Sequence, residues 1–176
     1  MVRFCGPFFF TYLLLYAHFF NNYMTQVLMV CMGNICRSPM AKIVAAKCAE
    51  TAGLGKKICF DSAGTHAQHI GEQPDTRAKT VLEKRGYKLD KSRSRRVEEK
   101  DFQRFDWIFA MDRSNLIELQ RLCPPQHAHK LKLFLDGTEE SNAEEIPDPY
   151  YGNMAGFERV LDLCEIGASH LVKNLA

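Results

Sequence analysis

The chain lacks a run of about 20 apolar residues, the length a helical membrane span needs. Its longest apolar stretch, Phe8 to Phe20, is shorter than that and is broken by Thr11 and His18. It lacks a surplus of either charge: 23 basic against 21 acidic side chains give a formal +2, which excludes a protein built as a whole around a polyanion such as nucleic acid. It has no C-x-x-C pair and no Cys/His grouping at zinc-ligand spacing, and its seven cysteines are an odd number. Neither a disulfide scaffold nor a structural zinc site is therefore expected. Internal repeats, low-complexity tracts and anything resembling an interdomain linker are absent too, so 176 residues, 46% of them hydrophobic, are read as one core and one principal domain.

The first 23 residues stand apart from the rest. Arg3 precedes the apolar run, as in a signal sequence, but no small-x-small cleavage site follows, and Asn21, Asn22 and Tyr23 lead directly to Met24. Residues 1–23 are read as an apolar N-terminal extension, either upstream of a start at Met24 or an appendage, and 24–176 as the domain that works. Reduced cysteines make a cytoplasmic location the expectation, with export or membrane anchoring through residues 1–23 as the alternative. Cys48, Cys59 and Cys164 have apolar neighbours and are expected as small core residues. The basic cluster between Lys84 and Arg96 is read as a solvated helix end and loop.

From Gln26 onward, apolar runs of strand length alternate with longer amphipathic stretches, the pattern of βαβ units in a parallel sheet. Strands are predicted at Val27–Cys31, Ile58–Ser62, Trp107–Met111 and Lys130–Leu135. Helices are predicted at Ser38–Thr51, at Pro74–Arg85 with Gly86 closing it, within "VEEKDFQRF", and from near Ser114. A last helix carries Phe157, Val160, Leu161, Cys164, Ala168, Leu171, Val172 and Leu175 at spacings of three and four, which is one buried stripe. The fold class expected is α/β, a three-layer α/β/α sandwich around a four-stranded parallel sheet.

The loop after the first strand carries the chemistry. "VCMGNICRSPM" ends a strand at Cys31, turns through Gly33 and enters a helix at Ser38. Strand, loop and helix in that order let backbone N–H groups converge on an anion, helped by the positive end of the helix. Met32, Gly33, Asn34, Ile35, Cys36 and Ser38 are thus candidate phosphate-binding residues. The loop lacks G-x-x-x-x-G-K-[ST], which excludes Walker-type nucleotide binding. Cys31 is a nucleophile at the bottom of this cradle, and Arg37 supplies a bidentate fork suited to a tetrahedral oxyanion. The electropositive setting favours thiolate over thiol, with Ser38 placed to hydrogen-bond the sulfur. Seven cysteines, eleven arginines and fourteen serines or threonines would produce C-x5-R-[ST] by chance roughly 0.03 times, so coincidence is set aside.

Displacement of an alkoxide or aryloxide from phosphorus needs a proton donor. In "IPDPYYG", Asp148 lies between two prolines and beside Tyr150 and Tyr151, a stiffened acid with aromatic neighbours. Asp112, in "FAMDRSN", is the alternative acid, because it follows a strand at the end of the sheet where α/β sites lie. Glu139, Glu140, Glu144 and Glu145 are read as a solvated charge run.

With these residues assembled, the chain resembles a low-molecular-weight protein tyrosine phosphatase. The motifs that carry the likeness are "VCMGNICRSPMA", "DSAGT", "PDTRA", "DFQRFDWIFAMDRSN" and "DPYYGN", in that order from Gln26 onward. The resemblance implies Cys31 as nucleophile, Arg37 as transition-state clamp and Asp148 as general acid, then as base against a cysteinyl-phosphate. It implies that Asn34, Ser38 and Ser62 hold the loop in shape, and that Cys36 either forms a reversible disulfide with Cys31 or packs beneath the loop. It implies no metal and no organic cofactor. The expected partners are phosphotyrosine-containing proteins or small aryl phosphates, met by a monomer, with no nucleic acid and no membrane unless the extension is retained.

Two positions depart from the family. Members often carry an aromatic wall at the position of Gln68, so the cleft is expected to have a polar side there and an aromatic side at Tyr150 and Tyr151. Ser92 stands where better-known members have a network histidine. His66 and His69 are read as cleft or surface residues rather than bases. An arsenate reductase of the same fold needs resolving cysteines, and none lies between Cys59 and Cys123. A non-catalytic phosphate sensor would need neither the thiol nor the acid.

Overall fold

The computed structural model describes residues 23–66, 68–138 and 143–176. Of the expectations above, the N-terminal extension up to residue 22 and Glu139 and Glu140 lie outside the described residues. Strands β1 (Thr25–Cys31), β2 (Ile58–Gly64), β3 (Trp107–Ala110) and β4 (Leu131–Leu133) alternate with helices α1 (Arg37–Thr51), α2 (Thr76–Lys84), α3 (Glu99–Arg104), α4 (Arg113–Leu122) and α5 (Met154–Asn174). The sheet order is β2-β1-β3-β4 and every pairing is parallel. Among the described residues no helix is long and apolar enough to cross a membrane. Tyr23, which the sequence reading gave to the extension, hydrogen-bonds Asp106 at the start of β3.

β1 is central, so both its faces must be covered, and its last five residues are all buried. Val27, Met29 and Cys31 point into a core shared with α1, α2 and α5, while Leu28 and Val30 face a second core with Phe102, Phe105 and Leu119 from the α3 and α4 side. Three layers follow directly from that alternation. α1 is buried along most of its surface, because it is packed between the sheet and α5. Asp75 caps α2 by accepting from the Arg77 N–H at 2.8 Å, and Gly86 ends it with φ +82°, a left-handed position that suits glycine.

Two sequence expectations are corrected. β4 is shorter than Lys130–Leu135: only Leu131–Leu133 stay in the sheet, because Phe134 turns inward to meet Phe109 edge-on at 6.2 Å and Leu135 follows it into the core. Cys164 is fully buried as expected, but Cys48 and Cys59 are only half-buried. In α5 the stripe is joined by Leu163 and Gly167. A Cβ on Gly167 would lie 2.6 Å from Phe134 Cε1 and 3.0 Å from Leu135 Cδ2, so this glycine is what lets the β4 exit pack on α5.

Gly167→Ala is therefore expected to destabilise the fold. Overpacking of about 1–3 kcal/mol outweighs the gain of roughly 0.5–1 kcal/mol from removing a mid-helix glycine, and a lowered urea midpoint is the readout.

Candidate active site

The polypeptide reverses sharply between Cys31 and α1, and Asn34 absorbs the reversal at φ +55°, a left-handed conformation that asparagine tolerates better than other residues with a Cβ. Its side chain then spans the loop. Asn34 Nδ2 donates to Ser38 Oγ at 2.9 Å, and Asn34 Oδ1 accepts from the Arg95 N–H at 3.0 Å. Ser94 Oγ donates to Gly33 O at 2.9 Å, and the His66 N–H donates to Met32 O at 3.0 Å. Gly64, at the end of β2, lies so close beneath the loop that a Cβ there would sit 2.6 Å from Met32 O.

Cys31 Sγ lies at the floor of this loop, 2% exposed, 3.0 Å from Ser38 Oγ and 3.3 Å from the Asn34 backbone N–H, which donates to it. Ser38 Oγ already accepts from Asn34, so its single proton goes either to the sulfur or to Ala63 O at 3.3 Å. Two donors can thus reach the sulfur at once, an arrangement that suits an anion. The first-turn N–H groups of α1 have no acceptor within the helix, and the side chain of the N-cap residue Cys36 supplies none.

Arg37 is 3% exposed. Its Nη1 donates to Asp112 and to Ile146 O at 3.1 Å, and its Nη2 donates to Asp148 Oδ2 at 2.6 Å. Burial opposes its charge, yet Cys31, Asp148 and Asp112 around it outweigh that opposition and push its pKa above the ordinary value. The geometry separates the two candidate acids. Asp112 also accepts from the Asn115 N–H at 2.6 Å as the N-cap of α4, with a side chain 17% exposed; Asp148 is 44% exposed at the mouth. Asp112 is an anchor for the guanidinium, and Asp148 faces the cleft.

That cleft, of about 340 Å³, is lined by Cys31, Met32, Gly33, Ile35, Cys36, Arg37, Gln68, His69, Asp148, Tyr150 and Tyr151. The structure brings together there every site residue read from the sequence except Asn34 and Ser38, which lie beneath the loop, and Ser62. The Ser62 expectation is corrected: among the described residues its side chain makes no hydrogen bond to the loop, and its N–H donates to Asp61. Ala63 O, Ser94 and Arg95 do the supporting instead. Ser92 is not in contact with the loop either, but pairs with Asp90 and accepts from Lys42 Nζ at 2.8 Å.

His69, read from the sequence as a cleft or surface residue, is one of the cleft's walls. Beside Gln68, the His69 ring stands 6.0 Å from the Tyr150 ring, tilted by 53°, with Nδ1 3.0 Å from Glu72. A Cβ at position 33 would come within 2.9 Å of His69 Cδ2, so Gly33 admits the imidazole, and the polar side of the cleft carries a ring after all. Tyr150 meets Tyr151 edge-on at 5.0 Å. Glycines at 33 and 64 were the available signals, since an isolated glycine by a strand end marks a close approach.

A thiol on the floor of an anion cradle, at the carboxyl end of the central strand of a parallel sheet, makes this a cysteine-dependent phosphatase. The family model described as low molecular weight phosphotyrosine protein phosphatase matches residues 26–176, and the chain belongs to that family. It is 39% identical to a low molecular weight protein-tyrosine-phosphatase of Bacillus subtilis, over 86% of this chain and 96% of that protein. It is 44% identical to the low molecular weight phosphotyrosine protein phosphatase of Schizosaccharomyces pombe, over 75% and 85%. Among solved structures, the protein tyrosine phosphatase of Entamoeba histolytica superposes with a TM-score of 0.83 at 44% identity, covering 86% of this chain and 96% of its own.

Gly64→Ala is expected to lower kcat/KM for an aryl phosphate on the order of 10²-fold, the scale of a displaced catalytic group. Burial, then the charges of Asp75, Cys31 and Asp148, push the Cys36 thiol up to about 12. Because its folded value lies above the unfolded value of about 8.5, Cys36 contributes stability that is complete below that pH and is lost as pH rises toward 12. Cys36→Ala is expected to flatten that alkaline decline, measured as urea midpoints at successive pH values.

Proposed function

We propose that the protein hydrolyses phosphotyrosine and aryl phosphate monoesters with Cys31, Arg37 and Asp148 in the three chemical roles. The observation that carries this reading is the placement of the Cys31 sulfur, under two hydrogen-bond donors, at the floor of a cleft that Arg37 and Asp148 close. A phosphate held by the Arg37 fork and the loop amides presents phosphorus to the sulfur. Sulfur attack forms the S–P bond while the P–O bond to the aryl group breaks, and the Asp148 carboxyl protonates the departing oxygen. Water then attacks phosphorus, Asp148 takes its proton, the S–P bond breaks, and inorganic phosphate leaves.

Because Asp148 Oδ2 sits 2.6 Å from Arg37 Nη2, an anion on the guanidinium necessarily has the acid at its edge. Asp112 holds the other arm of the fork and keeps it aimed. Gln68, His69, Tyr150 and Tyr151 give the cleft flat faces for a ring, which supports aryl over alkyl esters. One chain supplies nucleophile, clamp and acid, so a monomer suffices. The catalytic domain is placed at residues 24–176; the support is that the family match begins at residue 26 and β1 at Thr25. The six described cysteines are free, which supports a reducing compartment such as the cytoplasm. Cys36 is proposed as a redox partner of Cys31; the support is that both line the same cleft in one loop.

With p-nitrophenyl phosphate, no added metal and a thiol reductant, Cys31→Ser is expected to abolish turnover, and Asp148→Ala to lower it by about 10²–10⁴-fold. A phosphotyrosine peptide is expected to have a much higher kcat/KM than the matching phosphoserine peptide. Equal values would overturn the aryl preference and leave the thiol mechanism standing.

A further inference from the structure

A proton donor in a water-exposed loop stays aimed only if something outside the loop holds it. Asp148 is exposed and Tyr151 is 97% exposed. Within the segment, the Tyr150 N–H donates to Asp148 Oδ1 at 3.1 Å and the Gly152 N–H donates to Pro149 O at 2.9 Å. These bonds shape the turn without locating it. From outside the segment, Arg37 pairs with the Asp148 carboxyl itself, and α2 holds the backbone that follows it. Arg77 Nη1 donates to Gly152 O and Arg77 Nη2 to Tyr150 O, both at 3.1 Å.

Arg77 is itself held in place. Asp75 accepts from its backbone N–H at 2.8 Å, from Nε at 3.1 Å and from Nη2 at 2.8 Å, and its guanidinium carbon sits 4.6 Å from the Phe157 ring centroid of α5. One planar cation is clamped by an acid on one edge and a ring on its face, and it grips two carbonyls with the donors that remain. Lysine, a point charge on a flexible stem, could not reproduce that. Hydrogen bonding from Arg77 also holds the Asp75 carboxyl below its ordinary range, so the pair stays ionised through neutral pH.

We propose that Arg77 is a positioning residue for the general acid: by fixing the carbonyls of Tyr150 and Gly152 it sets where the Asp148 carboxyl meets the leaving oxygen, and it sets the Tyr150 wall at the same time. This rests on Asp148 being the proton donor. Among the described residues Arg77 forms no hydrogen bond with the sulfur or with the loop from Met32 to Cys36, which it meets only through its charge near Cys36 and through Asp75, whose N–H donates to Ile35 O at 2.8 Å; its own bonds beyond Asp75 go to the acid loop. A residue that only stabilised the fold would, on removal, lower the rates of all substrates alike. A residue that aims the acid matters most where the leaving group most needs a proton.

The test compares phenyl phosphate, whose leaving group is the stronger base, with p-nitrophenyl phosphate. The readout is kcat/KM, which reports the steps up to loss of the leaving group, for the parent, Arg77→Ala, Arg77→Lys, Asp148→Ala and the Arg77→Ala/Asp148→Ala pair. Arg77→Ala is expected to cost phenyl phosphate at least about tenfold and p-nitrophenyl phosphate clearly less, with Arg77→Lys showing the same skew should the alanine variant fold poorly. With Asp148 already removed, adding Arg77→Ala is expected to leave the ratio of the two substrates within about twofold. Equal losses on both substrates, or an undiminished skew without Asp148, overturn the proposal alone. If Asp148→Ala itself fails to skew the ratio, the assignment of the acid falls, and this proposal with it.

Discussion

The structure is arranged around one buried cation. Arg37 is almost fully removed from water, in the first turn of a helix whose N-terminal end is itself positive, and an unpaired guanidinium there would be costly twice over. Asp112 from the end of β3, Asp148 from the loop before α5 and the Ile146 carbonyl offset that cost. Removing one partner would leave a buried charge under-compensated. The sheet order places β3 beside β1 so that Asp112, two residues past the end of β3, reaches the loop at the point where the chain crosses from one side of β1 to the other. Charge balance at Arg37 thus ties together segments that are more than a hundred residues apart.

That balance does not by itself attract a phosphate. Two carboxylates around one guanidinium sum to a formal −1 before the thiolate is counted, so the positive field for an anion comes from the loop amides and the helix end. Cys36, immediately before Arg37, stays a neutral thiol because burial and the charges of Asp75, Cys31 and Asp148 resist a further anion. Cysteines five residues apart therefore serve opposite purposes: one is given donors, the other is denied them.

What could be read in the sequence was what is local. Strand, loop and helix around Cys31 follow from apolar periodicity and from Gly33, and Asp148 is marked by the prolines on either side of it. What could not be read was pairing across the fold. Asp112 looked like a second acid because its position after a strand is visible, whereas its bonds to Arg37 and to the α4 cap are not. Ser62 was assigned to the loop by likeness alone, while the true supports, Ser94 and Arg95, come from an extended segment that periodicity does not mark. His69 was legible as a cleft or surface residue, but its role as a wall shows only in its approach to Gly33. β4 ended early because burial of Phe134 against α5 overrode strand alternation.

The support of the loop by Arg95 and of Arg37 by residues 112, 146 and 148 has a consequence during synthesis. Cys31 is made early, yet of the two carboxylates that balance its neighbouring cation, Asp112 follows after more than half of the chain and Asp148 near its end. A nascent chain carries the full C-x5-R-S signature long before it has an anion site, so the reactive thiol is born without its activating surroundings. The anion site is complete only once the segment carrying Asp148 has been made.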